Sequence, residues 1–221
     1  MVYRRKLREL ARVIHEVAPD VLALQEVGGE DALIDLQRAL GAGLYDHRAL
    51  GTPDARGIAC AVLSRVRFEK KPRVITAYPA ATVRTAATEL LQQGHSVAVL
   101  GDLNDGPTAA TTQLLHGPGG SALTSRGFHQ PDDGDPQRLW NVSELIPSAL
   151  RYSRVHHGAG EMLDQILVSE ALLERTADGK RRAPLRVEAR VEGLRSIGDD
   201  PRREVLEVMP DHAAVSAVFE V

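Results

Sequence analysis

The sequence predicts an α/β chain, and three observations carry that reading. Short apolar runs, each closed by a glycine or a turn former, read as strands. Between them, apolar residues recur at three- and four-residue spacing, the pattern of amphipathic helices. The two kinds alternate along the chain without a shift in composition, so residues 1–221 read as one domain.

Leu7, Leu10, Ala11, Ile14 and Val17 place a helix over residues 3–17, ended by Pro19. Val21–Leu24 reads as a short buried strand with Gln25 and Glu26 at its carboxyl end. A carboxylate directly after an apolar run is costly if it stays unpaired; a metal or a cation offsets that cost, and emergence into solvent removes it. Gly28-Gly29 breaks the chain, and residues 30–40 form a second helix on Leu33, Leu36, Ala39 and Leu40. Residues 41–56 read as loop and Ile58–Leu63 as a strong strand. The single cysteine, Cys60, excludes an internal disulfide, and its apolar neighbours predict a buried, inert thiol. A weaker strand over Arg73–Ala77 and a helix over 82–93 follow.

Val97–Leu100 is the central buried strand, ended by Gly101. Asp102 and Asn104, two apart, point the same way in extended chain. Asp105, Gly106 and Pro107 turn the chain, and Pro107 fits the first position of a helix reaching about Leu115. A carboxylate and an amide at the carboxyl end of a strand sit where open α/β sheets place ligands. That pair suits a hydrated metal and a phosphate oxygen. The same five residues also read as a plain Asx turn. An EF-hand loop fits less well, because the third acid arrives one residue early.

Residues 116–136 read as a long surface loop. Ile166–Val168 is a strand with Asp164 at its start. His156 and His157 are adjacent, hence on opposite strand faces, which favours a solvated pair over a shared metal site. Arg151 and Arg154 are either phosphate contacts or surface charges. Residues 176–182 read as an exposed turn, 184–191 as a strand and 195–204 as a charged loop. An Asp211-His212 pair precedes a final alternating strand.

Apolar residues make up 43% of the chain, the net charge is −3 and the pI is about 6.2, so no basic field steers the whole molecule to nucleic acid. No run approaches the roughly 18 apolar residues of a membrane helix. Residues 1–9 are charged and lack a signal-peptide core. These features predict a cytoplasmic protein without a membrane partner.

Four motifs stand in fixed order: Leu24-Gln25-Glu26, Gly101-Asp102-Leu103-Asn104, Leu163-Asp164-Gln165-Ile166-Leu167-Val168-Ser169 and Pro210-Asp211-His212. Their order and character resemble the endonuclease/exonuclease/phosphatase superfamily of DNase I-like proteins. The resemblance spans residues 5–219, and Gly101–Gly120 is similar to a bacterial branch. It implies a four-layer sandwich of two mixed sheets flanked by helices. It also implies Mg²⁺- or Mn²⁺-dependent hydrolysis of phosphate esters, with nucleic acid as one candidate substrate. By the resemblance, Glu26 and Asp211 are metal ligands and Asp102 positions or activates the attacking water. Asn104 holds a phosphate oxygen, His212 stands beside the scissile phosphate and Asp164 orients it.

The chain departs from that pattern in two places. The family usually opens with a strand bearing an Asn near the metal, whereas this sequence starts inside the first helix. A His-bearing strand usually precedes the Gly-Asp-x-Asn motif, yet no His occurs from residue 48 to 94. The expectation is a truncated DNase I-like domain lacking both strands. Three functions follow: a nuclease-like phosphodiesterase impaired by the shortening, an inactive relative that serves as a binding domain, or a phosphomonoesterase or lipid phosphodiesterase on the same fold.

Overall fold

A computed structural model describes residues 2–74, 80–119, 123, 125–173, 181–197 and 210–220. The chain is α/β, and it divides into two compact units: residues 1–76 with 197–211, and residues 77–196 with 212–221.

The first unit contains α1 (Val2–Val17), β1 (Val21–Val27), α2 (Glu30–Leu40), β2 (His47–Leu50) and β3 (Ala59–Ser64). The apolar stripe of α1 packs Ala11 and Ile14 with Leu33, Leu36 and Leu40 of α2 and with Leu63 of β3. Each fully buried leucine there contributes about 1.5–3 kcal/mol of transfer free energy. β3 is the middle strand of an antiparallel sheet in the order β1-β3-β2.

Three expectations change in this unit. β2 occupies part of the expected 41–56 loop; its four residues carry no strand signature, and only pairing with β3 makes them extended. β1 is not a buried strand, since Val21 is exposed and no residue of β1 is fully buried. Cys60 is exposed, because β3 alternates and turns Ala59, Ala61 and Leu63 inward. Of the expected strand at 73–77, Arg73 and Val74 lie in no element, and 75–77 fall outside the described residues.

The second unit contains α3 (Ala80–Gln92), β4 (Ala98–Asp102), α4 (Ala110–His116), β5 (Leu139–Asn141), β6 (Arg154–His156), β7 (Ala159–Glu161), β8 (Asp164–Ser169) and β9 (Arg186–Ala189); the division of the chain falls within β10 (Ser196–Ile197), and β11 (Val215–Val218) belongs to the second unit. β8 is the middle strand of an antiparallel sheet ordered β4-β8-β5, and its residues Gln165 to Ser169 are all buried. Ser169 locks the outer end of β4: its Oγ accepts the Val97 N–H at 2.9 Å, and its own N–H donates to the Val97 carbonyl at 2.8 Å. β6 is the middle strand of the sheet β10-β6-β7, and β9 pairs with β11.

β4 does not stop at Gly101. It runs through it to Asp102, with Gly101 at φ +136°, a conformation that side chains with a Cβ rarely adopt. Nor is β4 buried on both faces, since Leu100 is exposed. α4 starts at Ala110 with Ala109 as its cap, so Pro107 belongs to the turn and not to the helix.

The expected surface loop at 116–136 carries two 3₁₀ turns, Arg126–His129 and Asp135–Gln137, with Phe128 and Asp135 buried. Two arginines explain that burial. Arg138 binds Asp132 at 2.9 Å and Asp135, while Arg181 binds Asp135, Glu170 at 3.0 Å and the Phe128 carbonyl. Both guanidiniums lie over the Trp140 ring, at 5.1 and 4.8 Å from its centroid. Arg181 is therefore not part of an exposed turn; residues 176–180 of that turn fall outside the described residues. Residues 198–204 of the charged loop do likewise, while Ser196–Ile197 form β10. No helix among the described residues is long and apolar enough to cross a membrane.

Candidate active site

In the β4–β8 ladder, Asp102 is the direct partner of Asp164. Directly opposed residues of an antiparallel pair project from the same face, with Cβ atoms about 4.5–5.5 Å apart, and two like charges so placed repel. His212 packs against one of the two carboxylates. Its Nδ1 lies 2.7 Å from Asp164 Oδ2. An ionised carboxylate only accepts, so Nδ1 carries the hydrogen, the tautomer is fixed and the ring's chemistry is directed to Nε2. Ligand atoms of Asp102, Asp164 and His212 all fall within 4.8 Å of one another, and all three side chains are half-buried.

Ser153, fully buried, holds this cluster together. Its Oγ accepts the N–H groups of Leu163 at 3.1 Å and Asp164 at 3.0 Å, which fixes the start of β8. Its carbonyl accepts the Ala213 N–H at 2.7 Å, which fixes the segment carrying His212. One side chain and its backbone thus set the spacing of two residues far apart in sequence. Arg154, the next residue, forms an antiparallel bridge with His212.

Asp102 also builds the turn that follows it. Its Oδ1 accepts the Asn104 N–H at 2.8 Å, an Asx turn, and Asn104 sits at φ +53°. The extended geometry expected for Asp102 and Asn104 does not hold; the chain reverses at Asn104, leaving that residue exposed. The turn and the carboxylate site coexist, since each uses the same Asp. Below it, Gln165 donates from Nε2 to the Asp105 carbonyl at 2.6 Å, and its Oε1 accepts from Asn141 Nδ2 at 2.6 Å. The Leu103 N–H donates to the Leu163 carbonyl at 2.9 Å.

Glu26 belongs to the first unit. It is exposed, with Arg56 at 3.6 Å, and lies where the register of β1 slips between Leu24 and Val27. Its φ is +55°, an unusual conformation for a residue with a side chain. Asp211 is exposed and directly precedes His212. Arg151 turns inward, its Nε donating to the Ile146 carbonyl at 2.8 Å. Arg154 is half-buried, with Glu161 at 3.7 Å. The rings of His156 and His157 are not on opposite faces: their centroids lie 4.2 Å apart, because His157 takes φ +47° and leaves the strand.

Ser153, Asn141 and Gln165 escape a reading of the sequence. The signal for Gln165 is an amide inside the apolar run Ile166–Val168 with Asp164 beside it, since a polar group in a buried strand needs named partners. Ser153 leaves no comparable mark.

No curated protein matches the chain. A solved structure of truncated Caenorhabditis elegans TDP2 is similar to it at 16% identity, covering 98% of this chain and 90% of that one with a TM-score of 0.49. A model of the Endonuclease/Exonuclease/phosphatase family matches residues 3–186. Members of that family are hydrolases acting on phosphate esters and generally use divalent metals. With more than half of its length matched, and an acidic cluster with a paired imidazole on its second unit, the chain belongs to the endonuclease/exonuclease/phosphatase family.

Proposed function

We propose that the chain is a Mg²⁺-dependent phosphodiesterase of nuclease-like type. The observation that carries this reading is the convergence of Asp102, Asp164 and His212 within 4.8 Å, with the imidazole already bonded to Asp164. Opposed carboxylates are a poor structural choice and a good functional one, because a cation beside them relieves the repulsion.

The donor set fits a hard divalent cation, which prefers carboxylate oxygens and keeps several waters. Glu26 and Asp211 are the residues we propose as its ligands. When bound, such an ion neutralises charge on the phosphoryl oxygens and lowers the pKa of coordinated water. The remaining work belongs to side chains of the chain. Asp102 orients the attacking water and takes up its proton. Asn104 donates its amide to a non-bridging phosphate oxygen. His212 presents Nε2–H to the phosphate while Asp164 holds the ring and stabilises its charged form. Water adds to phosphorus as the ester P–O bond breaks; Asp102 keeps the water's proton, and the departing alkoxide takes its proton from the surrounding solvent.

The test uses supercoiled plasmid and bis-p-nitrophenyl phosphate, with Mg²⁺ and with EDTA. The expected result is turnover that requires the metal and falls by about 100-fold or more in Asp102→Ala and His212→Ala, the usual worth of an acid–base group. Absence of metal-dependent turnover, or turnover unchanged in both variants, overturns the reading.

A further inference from the structure

The geometry points to Arg154 as the residue that anchors the substrate's phosphate beside His212, with Glu161 as its counter-charge when no substrate is bound. This inference rests on the phosphodiesterase reading.

Arg154 is the direct antiparallel partner of both His212 and Glu161. Directly paired residues project from one face, so His212, Arg154 and Glu161 form a row on the face that carries the imidazole. The Arg154 guanidinium is under-satisfied. It has five N–H donors. Its ion pair with Glu161 is loose, at 3.7 Å. Its Nε–H is buried and has no hydrogen-bond partner among the described residues. A guanidinium serving only as structural glue would satisfy its buried donors, as Arg138 and Arg181 do with carboxylates and carbonyls. Arg151, the other candidate, already donates its Nε to the Ile146 carbonyl.

A half-buried, loosely paired guanidinium next to a catalytic imidazole suits a phosphate, whose oxygens match the planar fork two at a time. Glu161 keeps the charge compensated at rest and repels a second anion, so phosphate competes with it for the same cation. Arg154 therefore acts in binding, and its removal raises KM more than it lowers kcat.

The test has two readouts. In steady-state kinetics with bis-p-nitrophenyl phosphate and Mg²⁺, Arg154→Ala is expected to raise KM about tenfold with kcat changed less than about threefold, and Arg154→Lys to fall between, since it keeps the charge and loses the fork. Glu161→Gln is expected to lower KM. In EDTA, where no hydrolysis occurs, binding of a short single-stranded oligonucleotide is followed against salt. Losing one phosphate contact is expected to flatten the slope of log affinity against log salt by about 0.7. An unchanged KM and slope in Arg154→Ala overturns the assignment. Should Arg154→Ala fail to fold, Glu161→Gln decides: a lower KM supports the anchor, and an unchanged or higher KM overturns it. Lack of turnover by the unaltered protein would instead sink the phosphodiesterase reading, while the salt slope still reports on Arg154.

Discussion

His212 and Asp164 are 48 residues apart in the chain, and their side chains meet at 2.7 Å between Nδ1 and Oδ2. The contact forms because β8 starts at Asp164 and because the segment before β11 is pinned to Ser153. Asp164→Asn keeps the size of the side chain and removes the charge that holds the imidazole in one tautomer. We expect kcat on bis-p-nitrophenyl phosphate to fall by about 100-fold, a typical worth for a positioned acid–base group, with little change in the thermal midpoint. A variant of undiminished kcat would show that the pair does not serve catalysis.

Ser153→Ala tests the support beneath that pair. The hydroxyl accepts two N–H groups, from Leu163 and Asp164, and the methyl group that replaces part of it accepts none. Leaving buried donors without acceptors costs about 1–3 kcal/mol. The variant is expected to lose about that much stability in urea titration and to lose kcat as well, because the start of β8 carries Asp164. Stability lost without any change in kcat would make Ser153 a purely structural residue.

The elements with their own periodicity were legible in the sequence. The stripe Leu7–Ile14 and the stripe Leu33–Leu40 mark α1 and α2 nearly to the residue, because each apolar face buries itself against the other. β8 was legible as an apolar run, and as the middle strand of its sheet it buries Gln165 to Ser169. What failed depended on partners remote in sequence. β2 is extended only because β3 lies beside it. Arg181 looks solvent-bound among charged neighbours, yet Asp135, Glu170 and Trp140 bury it. The residues Asp102, Asp164 and His212 were named from motif order, and the ladder register that sets the two carboxylates opposite each other is a tertiary fact. The left-handed backbone at Asn104 was hidden because Asp-x-Asn reads equally well as extended chain and as Asx turn.

Arg181→Met isolates the buried ionic cluster. The substitution keeps an unbranched apolar stem against Trp140 but removes the cation from Asp135 and Glu170. Breaking a buried pair from one side costs about 3–5 kcal/mol, since the remaining charge stays desolvated. The guanidinium-chloride midpoint should drop accordingly. A midpoint equal to that of the unaltered protein would mean that Arg138 compensates Asp135 alone.

His116 gives the fold a defined acid sensitivity. Burial pushes its pKa below the ordinary value of 6.5, and its Nε2 is buried without a hydrogen-bond partner among the described residues. The Arg84 guanidinium sits at the same helix end, donating to the Leu115 carbonyl at 3.0 Å. In the native state the imidazole therefore stays neutral where the unfolded chain is already protonated. As pH falls below 6.5 the unfolded state binds the extra proton and stability declines, until the native group titrates at its lower value. His116→Phe removes this contribution. Urea midpoints at pH 7.5 and pH 5.5 should differ less in the variant than in the unaltered protein; equal differences would refute the linkage.

Glu26 is the residue at which stability and function are expected to oppose each other. A left-handed backbone costs a residue with a Cβ about 1–2 kcal/mol, and Glu26 adopts it at φ +55° in the bulge of β1. Its side chain returns little locally, being exposed with a loose contact to Arg56. Backbone strain of this kind persists where the side chain has a task that the fold alone does not require. Glycine takes the conformation without steric cost but loses more entropy on folding, which leaves a net gain of about 0.5–1 kcal/mol for Glu26→Gly. That variant should melt at or above the temperature of the unaltered protein while losing metal-dependent turnover. Calorimetry together with a Mg²⁺ titration of activity reads both quantities. A variant that keeps its turnover would remove Glu26 from the proposed metal ligands, and one that melts lower would show that the strain is not relieved by glycine.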